Sequence, residues 1–319
     1  SERGLRGVAR RATELSLHAD ERDVPAFAAE LGAGFPTYFP PLSERDNELA
    51  AVAALAFGVR GFNVYMAVER DRWVGAPLDR TGRRRPTAAF WARLCAAVER
   101  ADFPRLRRDV PVRLVVPYGD RRLARVLHGF GPVSPAVADL LQLGPREACL
   151  EGADPANWGE ALGAADLFAR TAERRLSELG IAHAWVPGDP VGLTGARWLL
   201  CACSGSLGDA VAARLQAAHD AGVAVTLGPI TATHDDRLRP REPLSLPCWD
   251  AIDDRLDALV AELGLTGTPC EPSTVFATSH RDAHGCRVLF VLNPGPATDA
   301  VVHCGFSGEV EDLLATDGQ

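Results

Sequence analysis

The chain has 319 residues, 47% hydrophobic and 24% charged, with 34 basic against 42 acidic side chains and a net charge of −8. That size and composition suit a globular protein of two or three domains, and the acidic balance excludes a general nucleic-acid binder, which needs a basic face to displace counterions. No apolar run approaches the roughly 20 residues that cross a bilayer, so neither nucleic acid nor membrane is expected as a partner.

The chain opens on Ser1, with neither Met nor a signal-like apolar core, and GEVEDLLATDGQ ends it inside what reads as a strand and its exit. It therefore reads as a segment of a longer protein. An amphipathic helix over Arg6–Ser16 comes first, followed by a short strand, Val24–Glu30, that ends on a carboxylate. The glycines and prolines of LGAGFPTYFPP then force a turn. Ser43 and Asp46 form a capping box for a helix running to Phe57, with Gly58 closing it. A second apolar strand, Val59–Val68, exits into Glu69, Arg70, Asp71, Arg72 and Trp73. After a long loop containing RTGRRR (Arg80–Arg85), which reads as solvated, Thr87–Arg100 places Phe90, Leu94, Ala97 and Val98 on one helical face. Two βα units cannot close a barrel, so this section (1–108) is expected to present open strand edges. Both strand exits carry charge and aromatics, and loops at the carboxyl ends of strands are where α/β folds build sites.

A second section (109–247) repeats strand and helix with short connections. VPVRLVVP, Ile181–Val186, Arg197–Cys203 and Val223–Leu227 read as strands, Ala165–Leu179 and Gly208–Asp220 as helices, giving a doubly wound, flavodoxin-like α/β domain. The stretch Tyr118–Asp154 reads as less regular. SGSLGD lacks any phosphate-loop pattern and reads as a helix N-cap at Ser206. RLRPREPLSLP reads as a linker. A third section (248–319) holds a helix, Trp249–Leu263, and the start of a β-rich module in which HRDAHG joins two strands as a hairpin, with His280 and His284 solvated in its turn. Eight cysteines without CxxC or HxxxH spacing, Cys201 and Cys203 buried in a strand among them, suggest a mostly reduced, cytoplasmic protein with no metal and no cofactor.

The strings AAELGAG (Ala28–Gly34), ALAFGVRGFNVYM (Ala54–Met66) and ERDRWVGAPLDRTG (Glu69–Gly82) resemble the end of the barrel in bacterial β-galactosidases of glycoside hydrolase families thirty-five and forty-two. The resemblance implies the last βα units of an incomplete TIM barrel, then an amidotransferase-like α/β domain, then β-sandwich material. It also implies retaining hydrolysis of terminal β-galactosides, a carbohydrate substrate, and homo-oligomer contacts through the α/β domain. Carried over, it makes Glu30 the catalytic nucleophile at the end of a barrel strand and sets Asn63, Tyr65, Glu69, Arg72 and Trp73 beside the sugar. Such enzymes pair the nucleophile with a second carboxylate as acid/base. That group belongs to an earlier strand which this sequence lacks, so the segment alone is expected to be inactive. A non-catalytic carbohydrate-binding or structural homologue is the competing reading. A flavodoxin-like small-molecule domain unrelated to sugars is a third. An active amidotransferase is disfavoured, since Cys203 ends a strand but no HxE follows: His234 precedes Asp235 and Asp236.

Overall fold

The computed structural model describes residues 2–37, 43–118, 158–189, 192–237 and 239–315. The irregular stretch read over Tyr118–Asp154 lies almost wholly outside them. The chain forms two compact units, residues 1–109 with 268–319, and residues 110–267.

In the first unit, helix α1 (Glu2–Asp20) precedes strand β1 (Phe27–Gly32), a two-residue strand β2 (Phe35–Pro36), helix α2 (Glu44–Ala56), strand β3 (Gly61–Tyr65), a two-residue strand β4 (Trp73–Val74) and helix α3 (Thr87–Arg100). Strands β1 and β3 run parallel and form a two-stranded sheet, while β2 pairs antiparallel with β4. The Ser43–Asp46 capping box forms as the spacing predicts. Helix α2 is rich in alanine along its second half, which lets neighbours approach on more than one side. Leu5 and Ala12 of α1 pack with Ala53, Ala54, Ala56, Phe57 and Val59. Ala51 and Leu55 pack instead with Phe90, Trp91 and Leu94 of α3, and with Phe103 and Leu106 beyond it.

The carboxyl-terminal residues complete this unit. A hairpin of β10 (Phe276–Arg281) and β11 (Arg287–Leu292) follows the short strand β9 (Cys270–Glu271), which pairs antiparallel with β12 (Val301–Val302). The last carbonyls of a helix have no partner within it. Here the carbonyl of Ala56 accepts from Thr278 Oγ1 at 2.8 Å and from His280 Nε2 at 2.9 Å. His280 is thus buried in β10, and its expected place in a solvated turn is corrected. The turn is tighter than read: the carboxylate of Asp282 gathers the backbone N–H groups of His284 and Cys286, and of the two histidines His284 is the exposed one. With Nε2 donating, His280 Nδ1 accepts from the Arg60 guanidinium at 3.1 Å. Arg60 is 2% exposed, and its planar cation lies over the Phe103 ring at 5.5 Å.

The second unit holds β5 (Val112–Val115), α4 (Trp158–Glu178), β6 (His183–Val186), β7 (Trp198–Ser206), α5 (Asp209–Asp220), β8 (Ala224–His234) and α6 (Asp254–Glu262). Its four strands are all parallel, in the order β6-β5-β7-β8. Such strands are covered on both faces and read as continuous apolar runs; all nine residues of β7 are buried. Val112, Leu114, Trp198 and Leu200 pack with Phe168, Ala172 and Leu176 of α4 and with Leu256 and Val260 of α6.

Three sequence expectations change here. Helix α6 was grouped with the β-rich residues, but Leu256 and Val260 are core residues of the α/β unit, and the boundary falls after Gly267. The Pro-rich stretch after Arg237 is no free linker, because it runs back along β8: Asp235 N–H donates to Arg239 O, Arg241 N–H to Thr233 O and Leu227 N–H to Pro247 O. Ser206 does not cap α5. It ends β7, buried, and the N-cap is Gly208 without a side-chain bond, because β7 extends three residues beyond Cys203.

Candidate functional site

The site is built where β1 and β3 end. Their ladder is in register at Ala28 opposite Phe62, slips, and resumes at Leu31 opposite Val64 and Gly32 opposite Tyr65. Ala29 and Glu30 therefore stand together against Asn63, a bulge that re-aims a side chain. Strand alternation sorts the rest. Leu31, Phe62 and Val64 turn to the core beside α3, and Glu30, Asn63 and Tyr65 fall on the other face. Glu30 and Asn63 are exposed there and Tyr65 is half-buried.

Beyond Gly32 the chain must turn sharply. Gly34 sits at φ +83°, where a Cβ would come within 2.5 Å of Val74 O and 2.8 Å of Ala76 N. Only glycine lets the two loops touch. That contact places Trp73, whose Nε1–H donates to Ala33 O at 2.9 Å. Its ring meets Tyr65 edge-on, with centroids 5.4 Å apart at 81°. Ala33 N–H in turn donates to Tyr65 O at 2.6 Å. Arg70 Nη2 reaches the Tyr65 hydroxyl at 3.4 Å. Carboxylate, carboxamide, phenol and indole thus converge on the carboxyl ends of two adjacent strands. A carboxylate and a carboxamide accept and donate to hydroxyls in fixed directions, and an aromatic surface covers the apolar face of a ring.

Two expected site residues are placed differently. The carboxylate of Glu69, 13% exposed, pairs with the guanidinium of Arg85, and its N–H donates to Leu78 O, so it braces the loop instead of facing solvent. Arg72 is exposed at φ +63°, where its carbonyl accepts from Thr37 N–H at 3.1 Å. Farther along, the Thr81 hydroxyl and the N–H groups of Arg83 and Thr81 hold the Asp79 carboxyl below the usual carboxylate range. This fixes the RTGRRR turn from within. Arg70 is the residue that sequence reading passed over. Nothing in ERDRW separates Arg70 from Arg72; the left-handed turn at Arg72 does.

In the second unit Cys203 is fully buried, with its sulfur bonded to Gly205 N–H and Ser206 O, so β7 offers no exposed nucleophile. Among the described residues, no group of three or more His, Cys, Asp or Glu could hold a metal ion, and no helix is long and apolar enough to cross a membrane.

No protein-family model and no curated protein matches the chain. Solved structures do. A catalytic mutant of Gan42B, a GH42 beta-galactosidase from G. stearothermophilus, superposes with a TM-score of 0.58 at 9% identity, over 90% of this chain and 51% of that one. A second structure of Gan42B gives 0.58 at 9% identity, over 92% and 56%. The beta-galactosidase of Rahnella sp. R3 reaches only 0.49, at 13% identity over 92% and 41%, too low to add weight. The chain therefore has a mixed α/β fold like that of GH42 beta-galactosidases and spans about half the length of the Gan42B structures it matches.

Proposed function

We propose that this chain supplies the nucleophile and one sugar-binding wall of a retaining glycoside hydrolase acting on terminal β-galactosides. The likeness to Gan42B supports the architecture, with β1 and β3 as the last strands of a barrel. The observation that carries the reading is the bulge that sets Glu30 against Asn63 on the open face, with the Tyr65–Trp73 pair at the same strand ends. Glu30 attacks the anomeric carbon. The acid/base carboxylate comes from barrel strands outside this chain, since Glu69 is engaged by Arg85. Trp73 and Tyr65 line the sugar, and Asn63 holds a hydroxyl. By the same reading the α/β unit serves oligomer contacts.

A chain with this wall but no acid/base partner binds sugar without turnover, and the pairing of Glu69 favours that behaviour for the isolated chain. The test uses the parent gene product. Glu30→Gln is expected to lower hydrolysis of an aryl β-galactoside by about 10³-fold or more, with the aglycone release rate as the measurement. A variant within tenfold of the unsubstituted enzyme would remove Glu30 from the chemistry.

A further inference from the structure

We propose that Arg70 and Arg84 form a cationic clamp that selects β-galactosides whose aglycone carries a carboxylate or a sulfate. The inference rests on the glycosidase reading above and names the substrate class of the same site. Residues 69–85, which lead from the β3 exit toward α3, hold six arginines against three carboxylates in a chain of net charge −8. All three carboxylates are engaged within the loop. Glu69 pairs with Arg85, Asp71 pairs with Arg80 at 2.8 Å, and Asp79 accepts from Thr81 and from Arg83 N–H. Among the described residues neither Arg70 nor Arg84 meets a carboxylate, and both are exposed.

The backbone sets these two cations on one side. Val68 forms a parallel bridge with Leu78, and Leu78 an antiparallel bridge with Arg84. Three short segments therefore lie side by side, joined by Glu69 N–H to Leu78 O and by Arg85 N–H to Pro77 O. Bridge partners project to one face, and alternate residues along a strand return to it. Val68, Leu78 and Arg84 thus share a face with Arg70, while Glu69 and Arg85 pair on the other. At about 4.8 Å per segment, the Arg84 backbone stands about 10 Å from Val68, so one bound group can lie between the two guanidinium groups. Arg70 Nη2 lies 3.4 Å from the Tyr65 hydroxyl, which opens this face toward the strand ends where Tyr65 meets Trp73.

The galactose itself is the wrong carrier for the anion. It rests against Glu30, whose carboxylate repels a second negative charge. The leaving sugar lies farther out, beside the loop. There a planar guanidinium grips a carboxylate or a sulfate through paired N–H donors, and the local positive field draws an anionic substrate to an otherwise acidic chain.

The experiment measures kcat/KM of the parent gene product on two matched pairs of β-galactosides. One pair is lactitol and lactobionate; the other is N-acetyllactosamine and its form sulfated on the glucosamine. The expected result is a preference of about tenfold for the anionic member, shrinking in about 1 M salt. Arg84→Gln should reduce that preference to about threefold or less while leaving lactitol hydrolysis within about twofold. A preference confined to one pair identifies the anion as carboxylate or sulfate. Equal hydrolysis within both pairs would overturn the clamp and leave the glycosidase reading standing, as would a preference untouched by Arg84→Gln. Cleavage of none of the four would overturn both.

Discussion

Both units use parallel strands linked through helices, yet their strands are opposite in burial. Strand β7 is buried at every position and β5 likewise, while β1 alternates between exposed and half-buried residues. In the four-stranded sheet the sequence can place only apolar or hydrogen-bonded groups, and it does so with WLLCAC and VRLV. In the two-stranded sheet one face packs on α2 and α3, and the other is left for polar groups. A carboxylate that must be ionised to attack gains nothing from a buried strand, where desolvation favours its neutral form. The proposed site therefore falls on the less covered sheet, and the better covered one holds its unit together.

The widest gap between the sheets should show in deletions of an aromatic ring. Trp198 is fully buried, lies 5.7 Å from the Trp249 ring and donates Nε1–H to Thr226 Oγ1 at 3.2 Å. Trp198→Ala should cost about 4 kcal/mol through the cavity and the stranded hydroxyl. Phe27 on β1 is 49% exposed, and Phe27→Ala should cost less than about 1 kcal/mol. Urea unfolding measures both; similar losses would mean that burial does not distinguish the sheets.

Acid should find the first unit before the second. Burial, more than the adjacent charges of Arg60 and Arg108, pushes the His280 imidazole from its ordinary 6.5 down to about 3, against a smaller opposing effect of the bond to Ala56 O. The unfolded chain takes up this proton below about 6.5 and the folded chain does not, so stability present above that pH falls as pH drops toward 3. The loss is on the order of 3 kcal/mol by pH 4. His280→Gln keeps an N–H for Ala56 O but does not titrate, and it should flatten this limb of the stability–pH curve. An unchanged limb would place the acid sensitivity elsewhere.

Much of this was legible in the residues. Helix α3 matches its periodic pattern end to end, and the α2 capping box is local chemistry that Ser43 and Asp46 specify alone. The coarse likeness to beta-galactosidase folds was carried by short strings at two strand exits. What could not be read depended on contacts distant in sequence. His280 lies in a polar hexapeptide that resembles a turn, and its burial follows from the α2 end more than two hundred residues earlier. The Pro-rich stretch has linker composition, yet its N–H and C=O groups pair with β8. Glu69 and Arg72 shared a motif with Trp73, but pairing with Arg85 and a left-handed turn separate them from it.

A single methyl tests how tightly the site loops are held. Gly34→Ala would force a Cβ against Val74 O in a left-handed backbone, at a cost of about 2 kcal/mol. It should also move Trp73, which hangs from the neighbouring Ala33 carbonyl, so tryptophan fluorescence should shift along with stability. A stable variant with unchanged fluorescence would show that the two loops yield independently.

The smallest expected effect returns to the contrast between the units. Helix α2 starts on a side-chain cap: Ser43 Oγ accepts from Asp46 N–H at 3.2 Å, and the Asp46 carboxylate accepts from Ser43 N–H at 2.9 Å. Helix α5 starts on Gly208 with no such bond, since burial of Val211, Ala212 and Leu215 holds it in place. Ser43→Ala should therefore cost about 1 kcal/mol, and Gly208→Ala, whose Cβ would find its nearest neighbour at 3.4 Å, within about 0.5 kcal/mol. The Ser43 hydroxyl, ahead of its backbone N–H, holds the Asp46 carboxyl below its usual value. This contribution is complete above the unfolded carboxylate range and disappears as pH falls through the folded value. The Ser43→Ala deficit should accordingly shrink in acid while the Gly208→Ala difference stays flat. A Ser43→Ala deficit that persists at pH 2 would assign the loss to the hydroxyl's bond to the helix N–H alone, independent of the carboxylate.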